Sequence, residues 1–132
     1  MDFDTLVHRV ITAWADNDTQ TLYAIFSEEA TLLISPDGRL REGKKAIREV
    51  FKHRGGYIRV HDIWYDANSQ VGTVNLSTGK LGDVFADYSA IIMQLEGEQI
   101  LLWREHRSRE RASRQLYQDD PTWTWDLVAG RR

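Results

Sequence analysis

Residues 14–51, WADNDTQTLYAIFSEEATLLISPDGRLREGKKAIREVF, decide the fold. They read as the end of one helix, a short helix, a strand, a turn and a third helix opened by Gly43. Leu22, Ile25 and Phe26 recur at helical spacing, and Thr31-Leu32-Leu33-Ile34 follows as a β-prone run. Pro36-Asp37-Gly38 punctuates the chain, after which Ala46, Ile47, Val50 and Phe51 restore the helical period. Toward the N-terminus, Leu6, Val7, Val10, Ile11 and Trp14 share one face of a helix expected over Asp4–Ala15. Asp18 is placed to cap the second helix, because its carboxylate can accept free backbone N–H groups. The third helix is expected to end at Gly55-Gly56, where glycine accepts the left-handed conformation that closes a helix.

Beyond Gly56 the hydrophobic period changes from helical to alternating. Tyr57–Tyr65, Val71–Thr78, Phe85–Leu95 and Gln99–Ser108 read as strands, separated by Asp66-Ala67-Asn68-Ser69, a Gly79–Gly82 loop and Glu96-Gly97-Glu98. Helices followed by an antiparallel meander predict an α+β arrangement with the helices on one sheet face. Apolar residues at successive positions in Phe85–Leu95 give both faces of the sheet hydrophobic surface. The uncovered face then calls for a second copy of the chain, and a homodimer is expected. Residues 109–132 carry the end of a basic run, then Pro121, Trp123 and Trp125. They read as a tail that packs on the body or on a partner subunit, since two tryptophans are costly to leave in water.

The 132-residue length suits one domain with a real core. Hydrophobic content of 42% and charged content of 28% are those of an ordinary globular protein. No cysteine is present, which excludes disulfides, thiolate nucleophiles and thiolate metal sites. The Met-Asp-Phe-Asp start resembles no signal peptide, and no apolar run reaches membrane-span length, so a cytoplasmic protein without a membrane partner is expected. A formal charge of −3 gives nucleic acid no overall attraction. Glu105, Glu110, Asp119 and Asp120 also interrupt or follow the Arg104–Arg114 run, so no nucleic-acid partner is expected. His8, His53, His61 and His106 lack metal-ligand spacing, and no metal or cofactor is implied. A phosphate-binding glycine loop and a nucleophile elbow are both missing.

Asp18 with FSEEATL, then GKKAIREVF, then ILLWREHRS after a Glu-Gly-Glu hairpin, resemble the nuclear transport factor 2-like superfamily over about residues 6–108. That superfamily includes ketosteroid isomerases, limonene epoxide hydrolases and SnoaL-like polyketide cyclases. The resemblance lies toward the SnoaL-like and ketosteroid isomerase-like branch. It implies a cone-shaped fold, with three N-terminal helices packed on a curved, mainly antiparallel sheet around a cavity for a small apolar ligand. It also implies acid–base chemistry of cyclase, isomerase or hydrolase type, or else a non-catalytic ligand-binding or dimerisation domain.

The isomerase's tyrosine and general base fall at Val10 and Ile34, which cannot transfer protons. The hydrolase Trp-Arg-Asp step falls at Trp103-Arg104-Glu105, but its partner Arg and Asp are missing from VGTVNLST. Glu105 is therefore the candidate catalytic carboxylate. Strand alternation pairs it with Trp103 toward the cavity and sends Arg104 and His106 to the other face. In an apolar pocket it would be desolvated; beside Arg104 and Arg107 it reads equally as a surface ion pair worth about 0–1 kcal/mol. Trp14, Trp103, Tyr88 and His61 are the candidate ligand-binding residues. Trp14, Trp64 and Trp103 also read as core. Alternation puts His61 and Asp62 on opposite faces.

Overall fold

Asp2 opens the first helix by accepting the Thr5 backbone N–H at 2.7 Å, which satisfies one of the donors a helix start leaves free. The computed structural model describes residues 2–35, 38–53, 55–80, 82–111 and 128–129. Within them α1 spans Phe3–Ala15 and α2 spans Thr19–Ile25. The expected face of α1, Leu6, Val7, Val10, Ile11 and Trp14, is buried together with Phe3 and Ala13. Asp18 caps α2 by accepting the Thr21 N–H at 3.2 Å.

Phe26 departs from the helical reading. It adopts extended backbone and begins β1, Phe26–Ser35. A short strand β2, Arg39–Glu42, pairs antiparallel with β1 from Thr31↔Glu42 to Ile34↔Arg39. Its sequence, RLRE, is too charged and too short to signal a strand, and it exists because β1 offers it an edge. The third helix, α3, spans Gly43–Val50 and stops well before Gly55-Gly56. The Asn17 side chain explains the early end. It donates to the His53 carbonyl at 3.0 Å and accepts the His53 N–H at 2.9 Å. Backbone groups that could have extended the helix are thereby tied to the α1–α2 turn.

Four strands follow, each slightly longer than its sequence signal: β3 Tyr57–Asp66, β4 Val71–Gly79, β5 Phe85–Glu96 and β6 Gln99–Arg111. The two-residue β7, Val128–Ala129, pairs with β3. The sheet order is β2-β1-β6-β5-β4-β3-β7. Every pair is antiparallel except β1 with β6, which run parallel in register from Thr31↔Leu102 to Ser35↔His106. The α+β class and the mainly antiparallel sheet are as expected. The three helices are in the N-terminal half, with α3 following the expected strand β1; the additional strand β2 between them is the part that was not expected. Part of the tail does return to the body as β7, but Pro121, Trp123 and Trp125 lie outside the described residues. Among the described residues, no helix is long and apolar enough to cross a membrane.

The helices pack on one face of the sheet, and their meeting is dominated by aromatic rings. Trp103 of β6 lies edge-on to Phe51 at a centroid separation of 4.9 Å and 5.9 Å from Phe26. Phe51 in turn contacts Phe26 at 5.5 Å and Trp14 at 5.3 Å. All four side chains are buried. This cluster fills the centre between helices and sheet with tightly packed surface, leaving the open space elsewhere. At the opposite end, Gly72 lets Phe3 lie directly on β4; a Cβ there would come within 2.1 Å of the Phe3 ring. That ring stacks on Tyr65 at 4.9 Å.

Candidate functional site

Strand register sorts the functional side chains. Opposed residues in an antiparallel pair share a face. Glu105 opposes Ile91, Arg107 opposes Ser89, and Arg109 opposes Asp87. Trp103 and Glu105 are buried on the helix-covered face, whereas Arg104 and His106 are exposed on the other. The sequence had already required this split.

The surroundings of Glu105 differ from the apolar pocket expected for it. Its side chain is 1% exposed and ringed by donors. Oε1 accepts the Trp103 indole N–H at 3.0 Å, and Oε2 accepts the Ser89 hydroxyl at 2.8 Å. Arg107 adds Nε at 2.9 Å and Nη2 at 2.7 Å on the same oxygen. This is a buried carboxylate whose lost hydration is replaced by hydrogen bonds, rather than one set in an apolar pocket. Neither is it a surface ion pair, since only the arginine reaches the outside, with its side chain 36% exposed. Arg107 therefore stands between Glu105 and open space, its guanidinium fixed from beneath.

That open space is a cavity of about 480 Å³ where the strand ends meet the loops that follow α3 and β4. Trp14, Val50 and Phe85 give it apolar surface; Lys52, Lys80, Arg107 and Arg109 give it positive charge, and Asp83 and Asp87 oppose them. Polar surface predominates. Arg109 reaches Asp87 only loosely, at 3.6 Å. His53 also lines the cavity, and its Nε2 is buried without a hydrogen-bond partner among the described residues. Gly79, in the wall, is approached closely by Gly56 at φ +89°: a Cβ on Gly56 would lie 2.2 Å from the Gly79 carbonyl oxygen. Among the described residues, no three His, Asp or Glu side chains converge as a metal site.

Of the candidate ligand-binding residues, only Trp14 lines this cavity. Trp103 is wholly core, touching the site through its N–H on Glu105. Tyr88 and His61 lie on the outer face of the sheet, where their rings stack at 6.2 Å. There they line a shallow depression of about 410 Å³ with Asp62, Asn75 and His106. Two details corrected the sequence reading here. Tyr88 opposes Ser77 and Ser108, so alternation sends it away from Asp87 and the helices. A bulge between Val60 and Asp62 breaks the alternation at His61, and both His61 and Asp62 face outward. His61 Nε2 lies 3.0 Å from Ser77 Oγ. Trp64, also read as core, is 61% exposed on this outer face.

Arg107 was hidden in the sequence by its neighbours. In the run Arg104–Arg114 it reads as one charge among several at a solvated strand end. The signal that singles it out is parity: counting by twos from Trp103 gives Glu105, Arg107 and Arg109 on one face.

No family profile matches the sequence, and no curated protein matches it. Solved structures do match. An NTF-2 like protein of unknown function from Burkholderia xenovorans LB400 superposes with a TM-score of 0.69 at 13% identity, over 89% of this chain and 92% of its own. An LEH-like epoxide hydrolase of M. tuberculosis gives 0.63 at 14% identity, over 79% of this chain and 80% of its own. A protein of ketosteroid isomerase-like fold from Catenulispora acidiphila DSM 44928, solved in complex with trimethylamine, gives 0.63 at 16%, over 76% of this chain and 82% of its own. At these identities the likeness is one of fold.

Proposed function

We propose that this chain, whose fold is that of the nuclear transport factor 2-like proteins, is a ligand-binding domain that holds a small molecule in the cavity at the strand ends. One observation carries the reading: the Glu105–Arg107 pair, in which one oxygen of a buried carboxylate holds two nitrogens of a guanidinium at the cavity wall while the other oxygen is held by Trp103. Preorganising a polar group in this way lowers the ordering cost that a ligand would otherwise meet. Proton transfer by Glu105 fits less well. Both its oxygens are taken up by donors within the protein, and Arg107 separates it from any molecule in the cavity. In this reading Glu105 is a positioning residue and Arg107 the contact. The aromatic cluster occupies the central space in which a larger apolar substrate would sit, so the ligand binds at the mouth.

The same reading includes a homodimer. Register places Trp64, Thr73, Ile92 and Arg104 in one row across the outer face. Trp64 is 61% and Ile92 42% exposed, which gives this face apolar surface that a second copy can cover.

The cavity assignment is tested with Thr78→Trp, which adds bulk at a lining position without touching Glu105 or Arg107. A fragment library is screened by thermal shift against both proteins, with circular dichroism to verify the fold. Fragments that stabilise the natural chain should lose their effect on Thr78→Trp. Equal stabilisation of both proteins would refute the site.

A further inference from the structure

The geometry points to an organic carboxylate as the ligand, its head group held by Arg107 with Lys52 and Lys80 and its body laid against Trp14 and Phe85. The inference rests on the cavity reading above and names the chemical class that this site takes.

Charge is the first argument. The chain as a whole is acidic, at −3, yet the cavity wall carries four cationic side chains against two carboxylates. A local excess opposite in sign to the whole molecule draws anions to this one place. Pairing sharpens the excess. Arg107 is neutralised from beneath by Glu105, and Arg109 is loosely matched by Asp87. Lys52 and Lys80 have no ion-pair partner among the described residues. The wall thus offers two ammonium groups that form no ion pair among the described residues.

Geometry selects the anion. Glu105 takes Nε and one N–H of Nη2, which fixes the guanidinium plane and leaves its other N–H donors for the cavity. A fixed planar edge suits a planar carboxylate, which can accept two parallel N–H bonds, better than a point-like ion. The lysines then add long-range attraction without imposing direction. The cavity volume of about 480 Å³ far exceeds what a carboxylate needs, and its apolar surface comes mainly from Trp14, Val50 and Phe85. Phe85 is 53% exposed although it sits in the wall, an apolar surface that a ligand body would cover. The occupant is therefore a carboxylic acid with an aromatic or short aliphatic body.

The test uses isothermal titration calorimetry on the full chain with naphthalene-2-carboxylate and its neutral isostere naphthalene-2-carboxamide. The carboxylate should bind at least about 10-fold more tightly, a difference of about 1.4 kcal/mol. The double variant Lys52→Gln/Lys80→Gln, both at exposed positions, leaves Glu105 and Arg107 intact. It should weaken the carboxylate several-fold and leave the amide unchanged, and raised salt should act in the same direction. Equal affinity for the two probes, both lost in Thr78→Trp, would overturn the anion assignment while the cavity reading survives. Carboxylate binding insensitive to both lysines would also overturn it. Failure of both probes to bind would overturn the assignment and the cavity reading together.

Discussion

Removing the carboxylate at position 105 gives the sharpest check on its role. In Glu105→Ala the Trp103 indole N–H, wholly buried, loses the acceptor it has at 3.0 Å. An unsatisfied buried donor of this kind costs about 1–3 kcal/mol. The Ser89 hydroxyl, also buried, loses its acceptor for roughly 1 kcal/mol more. Arg107 contributes less than a buried ion would. Its side chain is 36% exposed and can turn to water, so its share is held to at most about 1 kcal/mol. With the space left by the missing side chain, the total is about 3–5 kcal/mol, the range expected when one partner of a buried pair is removed.

Glu105→Gln behaves differently. Its oxygen can stay on the Trp103 N–H and its amide can donate to Ser89, so the main loss is the charged contact with the partly exposed Arg107, at most about 1 kcal/mol. Urea unfolding followed by circular dichroism reads both variants. With a slope of about 1–2 kcal/mol/M, Glu105→Ala should lower the midpoint by about 1.5 M or more and Glu105→Gln by about half that or less. An alanine variant within about 1 kcal/mol of the natural protein would refute the reasoning, as would a glutamine variant less stable than the alanine one.

Other consequences are open to measurement. Gly72→Ala drives a methyl into the Phe3 ring and should cost about 1–3 kcal/mol by overpacking, read in the same unfolding assay. Asn17→Ala frees both backbone groups of His53; hydrogen exchange after α3 should accelerate, with a stability loss of about 1–2 kcal/mol. Asp2, Asp18 and Asp66 have pKa values below the ordinary 3.8, because Thr5, Thr21 and Ser69 respectively bond to their ionised carboxylates. Depressed folded-state values mean that this stabilisation is complete above that pH and lost as pH falls through the folded values. The triple Asn variant should therefore show a shallower decline in urea midpoint below about pH 4 than the natural chain. The natural chain should run as a dimer by light scattering and Trp64→Glu with Ile92→Glu as a monomer; equal masses for the two would count against the outer-face interface.

Much of the scaffold was legible because it rests on periodic apolar residues. Helix α1 and strands β3 to β6 follow from Leu6 to Trp14 and from the alternation after Gly56, and Asp18 announced its own cap. What failed depends on partners distant in sequence. Strand β2 is polar and forms because β1 presents an edge, and the parallel β1–β6 pair joins segments separated by nearly the whole sheet. The end of α3 is set by Asn17, a residue before the preceding helix. At the site, alternation put Glu105 and Trp103 on one face, which is the buried one although neither lines the cavity, and it misplaced His61, because a bulge leaves no composition signature. Alternation also implied Tyr88 on the outer face, which a reading of local apolar context overlooked. That Arg107 rather than water would meet Glu105 required knowing which of several arginines shared its face.

A small molecule bound at the strand ends beside Arg107, and not on the outer face of the sheet, should be visible residue by residue. A titration with naphthalene-2-carboxylate, followed by ¹⁵N–¹H correlation spectra with assigned indole and backbone signals, tests it in one experiment. Shifts should concentrate at the Trp14 indole, His53, Gly79 and Arg107, with the Trp64 indole and the Tyr88 and His61 amides unmoved. Shifts confined to Trp64, Tyr88 and His61, or no shift at all, would contradict it.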